Sequence, residues 1–71
     1  MSWTRLKESE TEESTSMLPA RVALDYDEAA GTYWTYLESF TANGEARIHY
    51  GQTFQTEAEA MEDFRKRVER L

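Results

Sequence analysis

The chain has 71 residues, 14 acidic and 8 basic, for a net charge of −6 and an isoelectric point near 4.6. That length allows one domain, and the charge balance is the reverse of what neutralising a phosphate backbone requires, so direct nucleic-acid binding is not expected. With no cysteine and a single histidine there is no disulfide and no standard zinc site, and no cofactor is expected.

Residues 1–18 are read as a flexible acidic arm ahead of a single domain spanning 19–71. From Glu8 to Ser16 every residue is Glu, Ser or Thr, a composition that buries little and does not offset the entropy of ordering. Trp3 and Leu6 are the exceptions. They read either as stray apolar residues of a frayed start or as the contacts by which the arm docks onto the sheet. No apolar run is long enough for a membrane span or a signal peptide, so no membrane association and a cytoplasmic location are expected.

Pro19 sets up a first strand over Ala20–Asp27, in which Val22, Leu24 and Tyr26 alternate with Arg21, Ala23, Asp25 and Asp27. Asp27 to Gly31 is a loop with Gly31 at its positive-φ position. The next run, Tyr33–Thr41, pairs antiparallel with the first strand and folds back at Asn43-Gly44, the strongest short-range signal for a two-residue type I′ hairpin. A two-residue turn sets Ala42 opposite Glu45, Phe40 opposite Arg47, Glu38 opposite His49, Leu37 opposite Tyr50 and Tyr33 opposite Phe54. One side of the hairpin then carries Tyr33, Leu37, Ile48, Tyr50 and Phe54 as a core face. The other carries Trp34, Tyr36, Glu38, Phe40, Arg47, His49 and Thr53.

Thr56-Glu57-Ala58-Glu59 is a capping box opening a helix that runs to about Arg70. Its apolar stripe is Met61, Phe64, Val68 and Leu71, with Ala58 and Ala60 nearby. Glu62–Lys66 and Asp63–Arg67 are its i,i+4 ion pairs. The expected fold is α+β: a three-stranded antiparallel meander with one C-terminal helix packed on one face. One helix covers one side, so Trp34, Tyr36 and Phe40 are expected to meet the arm, a second copy or another molecule.

From Asp25 onward the order of features resembles the YegP-like family of small β-β-β-α domains. The residues that carry the likeness are Asp25-Tyr26-Asp27 with Gly31, Tyr33 to Leu37, Asn43-Gly44-Glu45, Gly51 to Phe54, and Thr56 to Met61. The resemblance implies paired copies, hence a homodimer, and no established catalytic residues. The same element order is similar to antitoxins of the HicB type. In size and charge alone the chain resembles phage-encoded anti-CRISPR inhibitors.

His49 opposite Glu38 reads as a general base tuned by a carboxylate or as a cross-strand pair. With no nucleophile placed to complete a site, the pair is the better reading, and no enzyme is expected. A sheet-face nucleic-acid site built on Arg21, Arg47, His49, Trp34 and Tyr36 is opposed by Asp25, Glu38 and Glu45. The expected function is therefore a non-enzymatic inhibitor from a phage or mobile element, acting as a DNA mimic on a protein partner with a basic surface. Trp34, Tyr36, Phe40, Arg47 and His49 are the candidate contact residues, with Asp25, Asp27 and Glu28 steering. The alternative is a homodimeric YegP-like interaction domain that buries the same aromatics against themselves.

Overall fold

The computed structural model describes residues 3–14 and 17–71; expectations that fall on Met1, Ser2, Thr15 and Ser16 lie outside the described residues. The elements are β1 (Trp3–Glu8), β2 (Glu12–Ser14), β3 (Met17–Asp27), β4 (Thr32–Phe40), β5 (Ala46–Phe54) and α1 (Glu57–Glu69). They form an α+β fold, an antiparallel sheet with one C-terminal helix. The expected three strands are corrected to four across, in the order β1-β3-β4-β5, with the short β2 continuing the β1 edge along the first part of β3. The added strand comes from within the segment read as an arm. What it buries is charge rather than apolar area, a gain that its composition conceals.

The β3–β4 connection forms as its residues dictate. Asp27 accepts backbone hydrogen bonds from Ala29 and Ala30 at 3.0 and 3.3 Å, and Gly31 closes the loop onto the Asp27 carbonyl at a φ of 69°. The helix start also follows the sequence: the Thr56 hydroxyl accepts from the Glu59 amide at 3.3 Å and donates to the Glu59 carboxylate at 2.8 Å.

The β4–β5 turn differs from expectation by one residue. The Gly44 amide donates to the Thr41 carbonyl and the Thr41 amide to the Glu45 carbonyl, each at 2.9 Å, with Gly44 at a φ of 82°. This is a three-residue loop, a tight turn followed by a left-handed glycine, in place of the two-residue turn. Register moves with it. Phe40 lies opposite Ala46, Ser39 opposite Arg47, Glu38 opposite Ile48 and Leu37 opposite His49. A bulge at Tyr50, which takes a φ of 55°, then restores the expected register, so Tyr33 does face Phe54.

Because a one-residue slip exchanges the two faces, Arg47 and His49 join the helix side and Ile48 the open side. Ile48 and Tyr50, expected in the core, are 50% and 80% exposed. The core is instead Val22, Leu24, Ala60 and Phe64, with Tyr33, Leu37, Phe54 and Met61 packed around it. Asp63 locks the helix in place, accepting from the Thr35 hydroxyl and from Arg67 Nε. Val68 and Leu71, the end of the expected stripe, remain exposed.

Gly51 follows the bulge and lies under the Trp34 indole, where an added Cβ would stand 2.5 Å from Nε1. Gly51→Ala is therefore expected to lower stability by about 1–3 kcal/mol. Urea unfolding checks this, and an unchanged midpoint would mean that Trp34 does not lie over Gly51.

Candidate functional site

Residues directly opposite in the sheet share a face, so the side away from the helix can be read row by row. Trp3, Arg5 and Glu8 come from β1, and Arg21, Asp25 and Asp27 from β3. Trp34, Tyr36, Glu38 and Phe40 come from β4, and Ile48 and Thr53 from β5. Among the described residues no helix or second sheet lies over this side, yet Tyr36 is only 3% exposed and Asp25 and Glu38 only 8% each. Long side chains of the face itself provide the cover.

The centre of that cover is the Arg5 guanidinium. Its Nε donates to Asp25 Oδ1 at 2.5 Å, Nη2 to the Tyr36 hydroxyl at 2.9 Å and Nη1 to Glu8 Oε1 at 3.0 Å. Tyr36 in turn donates to Asp25 Oδ2 at 2.6 Å. Arg21 completes the network, reaching Glu38 Oε1 at 2.8 Å and Glu8 Oε2 at 2.6 Å. Two carboxylates on neighbouring strands are tolerable at this depth only with cations between them, and the two arginines supply these. Burial opposes the charge on Arg5, but its hydrogen bond and attraction to Asp25 outweigh that and raise its pKa.

The aromatic residues are arranged around this network. The Trp3 and Trp34 rings lie 5.3 Å apart, the Trp34 and Tyr36 rings 4.6 Å apart, and Arg21 stands 5.2 Å above the Phe40 ring. The expected Phe40–Arg47 contact is thus made by Arg21 instead. The expected Glu38–His49 pair is absent because the register slip puts His49 on the helix-side face, where its Nε2 lies 2.8 Å from Ser39 Oγ, while Glu38 holds Arg21 on the open face. Ser39 is 7% exposed, so this Ser–His contact presents no oxygen to a substrate.

The expected contact residues therefore divide. Trp34, Tyr36, Phe40 and Asp25 lie together on the open face, with Tyr36 and Asp25 buried and Trp34 and Phe40 half-buried. Asp27 and Glu28 stand at the end of the sheet where β3 turns into β4, whereas Arg47 and His49 lie on the other face. Of the three occupants expected over these rings, it is the segment read as an arm that meets two of them, through Arg5 on Tyr36 and Trp3 on Trp34. Sequence reading missed Arg5 and Glu8. The available signal was the alternation Trp3-x-Arg5 in a cation-poor segment, facing a strand pair that carries two inward acids.

The same geometry sets the Tyr36 hydroxyl. Burial, then the hydrogen bond to Asp25 and the repulsion of its charge, pushes the pKa up to about 12 from 10.0, against a smaller downward pull from Arg5. The folded state keeps this proton where the unfolded chain releases it. The associated stability is whole below pH 10 and is lost as pH rises towards 12, by at most about 3 kcal/mol at about 1.4 kcal/mol per unit. Ultraviolet titration should show one tyrosine ionising with this late midpoint, and Tyr36→Phe should remove it. Four tyrosines that all ionise near 10 would contradict the network.

Among the described residues no group of three or more acidic or histidine side chains is placed to hold a metal ion, and no helix is long and apolar enough to cross a membrane. No protein-family model, curated protein or solved structure matches the chain.

Proposed function

We propose that this chain is a small non-enzymatic binding module that engages a basic protein surface, in its most specific form an inhibitor that occupies a partner's nucleic-acid-binding channel. The observation that supports this is how the charges are spent. Arg5, Arg21, Arg65, Lys66 and Arg67, five of the eight cations, are tied to acids of the same chain. Glu10, Glu12, Glu28, Glu45, Glu57 and Glu59 are exposed and have no ion-pair partner among the described residues. The surface offered to a partner is therefore more uniformly negative than the composition suggests.

Such a surface steers association with a basic partner and is screened by salt. It repels a second copy of itself, so the homodimer reading draws no support from charge. Glu57 and Glu59 also stabilise the first turn of the helix. Among the described residues Glu10, Glu12 and Glu45 have no such local role, whereas Asp27 caps the β3–β4 turn and Glu8 pairs with Arg5 and Arg21.

The test is capture of a partner with this chain as bait, followed by competition. A partner that duplex DNA displaces, with affinity falling about tenfold or more between roughly 50 and 200 mM salt, supports the reading. Glu28→Gln with Glu57→Gln and Glu59→Gln should flatten that salt dependence. Capture that is indifferent to salt and to DNA would contradict it.

A further inference from the structure

We propose that the β3–β4 surface under Trp3, Arg5 and Glu8 is an acceptor for an extended, arginine-bearing segment of the basic partner, and that the chain's own β1 is a stand-in which that segment displaces. The proposal rests on the reading of the partner as a basic protein and says which feature of it is gripped.

The acceptor is specific in its chemistry. Asp25 and Glu38 are each 8% exposed, and with β1 and its Glu8 displaced the site keeps Asp25 Oδ1 for Nε and the Tyr36 hydroxyl for Nη2, with Glu38 Oε2 3.8 Å from Nη2. A planar fork reaches both acceptors at once, whereas an ammonium group acts as a single compact charge, so the site selects Arg over Lys. Two residues before that arginine, the Trp34 ring accepts an aromatic side chain; Trp3 fills the position while staying 40% exposed.

The resident strand fits this acceptor imperfectly. All six residues of β1 are exposed, and its pairing with β3 slips between Arg5 and Lys7, leaving Leu6 outside the ladder at 43% exposure. A segment with the same aromatic-x-Arg spacing and no slip pairs with β3 without interruption. Residues 9–14, which follow β1, contain no apolar side chain, and on the helix side β1 meets the core through Lys7 Nζ, 5.5 Å from the Phe64 ring centroid. Glu10 and Glu12 in this segment are exposed. Binding by strand addition takes affinity from the backbone ladder and selectivity from the side-chain sites.

The experiment uses the full chain carrying Trp3→Ala and Arg5→Lys, the wild type, and a fluorescent peptide with the sequence of Trp3–Ser9. The variant is expected to bind the peptide about tenfold or more tightly than the wild type, whose site is filled, and to discriminate similarly against a peptide with Lys at the Arg5 position. A folded variant that binds neither peptide overturns the proposal. Self-association of the variant on sedimentation overturns it too, by making a second copy the occupant. If the variant does not fold, hydrogen exchange on the wild type decides. Amides of β1 opening about a hundredfold faster than those between β3 and β4 support displacement, and equal protection rules it out. Salt-sensitive capture of a basic partner that persists after a negative result removes this site assignment alone and leaves the proposed function standing.

Discussion

Two carboxylates on adjacent strands, Asp25 and Glu38, sit almost out of water on the side of the sheet that the helix does not reach. Their requirement for cations organises the rest. Neither is stable there with only the other for company, since removing one partner from a buried ion pair typically costs about 3–5 kcal/mol. Arg21, on the strand of Asp25, answers part of the demand and covers Phe40 as it does so. The remainder calls in Arg5 from 20 residues away, and with it a whole extra strand. A fold that looks like a single helix on a meander thus acquires a second cover, built from guanidinium groups and indole rings.

The helix side follows the simpler logic of apolar burial. Val22 and Leu24 meet Ala60 and Phe64, and Thr35 bonds to Asp63 across the interface. Both sides depend on β3 and β4, the two interior strands. β5, on the outside, contributes little to the core and is exposed along nearly its whole length.

Much of this architecture is legible in the residues. Gly31, the Thr56 cap, the alternation of Val22 and Leu24, and the facing of Tyr33 and Phe54 all arise from local chemistry with a single good solution. The turn at Asn43-Gly44 has two. A glycine with positive φ serves a two-residue hairpin and equally a three-residue loop that ends in a left-handed residue. Local sequence does not separate them, yet the choice decides whether Arg47, Ile48 and His49 face the helix or the open side. The bulge at Tyr50 compensates and is equally hard to foresee, since it is tied to a contact between strands, Gly51 under the Trp34 indole. β1 was obscured for a different reason. Its value lies in completing a charge network formed by residues far along the chain, and no local propensity encodes that.

For function, the network shifts attention from exposed aromatics to charge. The rings that looked available are largely occupied, while Glu10, Glu12, Glu28, Glu45, Glu57 and Glu59 are exposed. In the proposed reading, binding is guided by acidity and anchored where Arg5 now sits. A double-mutant cycle on Arg5→Ala and Asp25→Asn, read by urea unfolding, tests this account most directly. A coupling energy above about 1.5 kcal/mol is predicted, and one below about 0.5 kcal/mol would contradict it by showing that the pair does not hold β1 to the sheet.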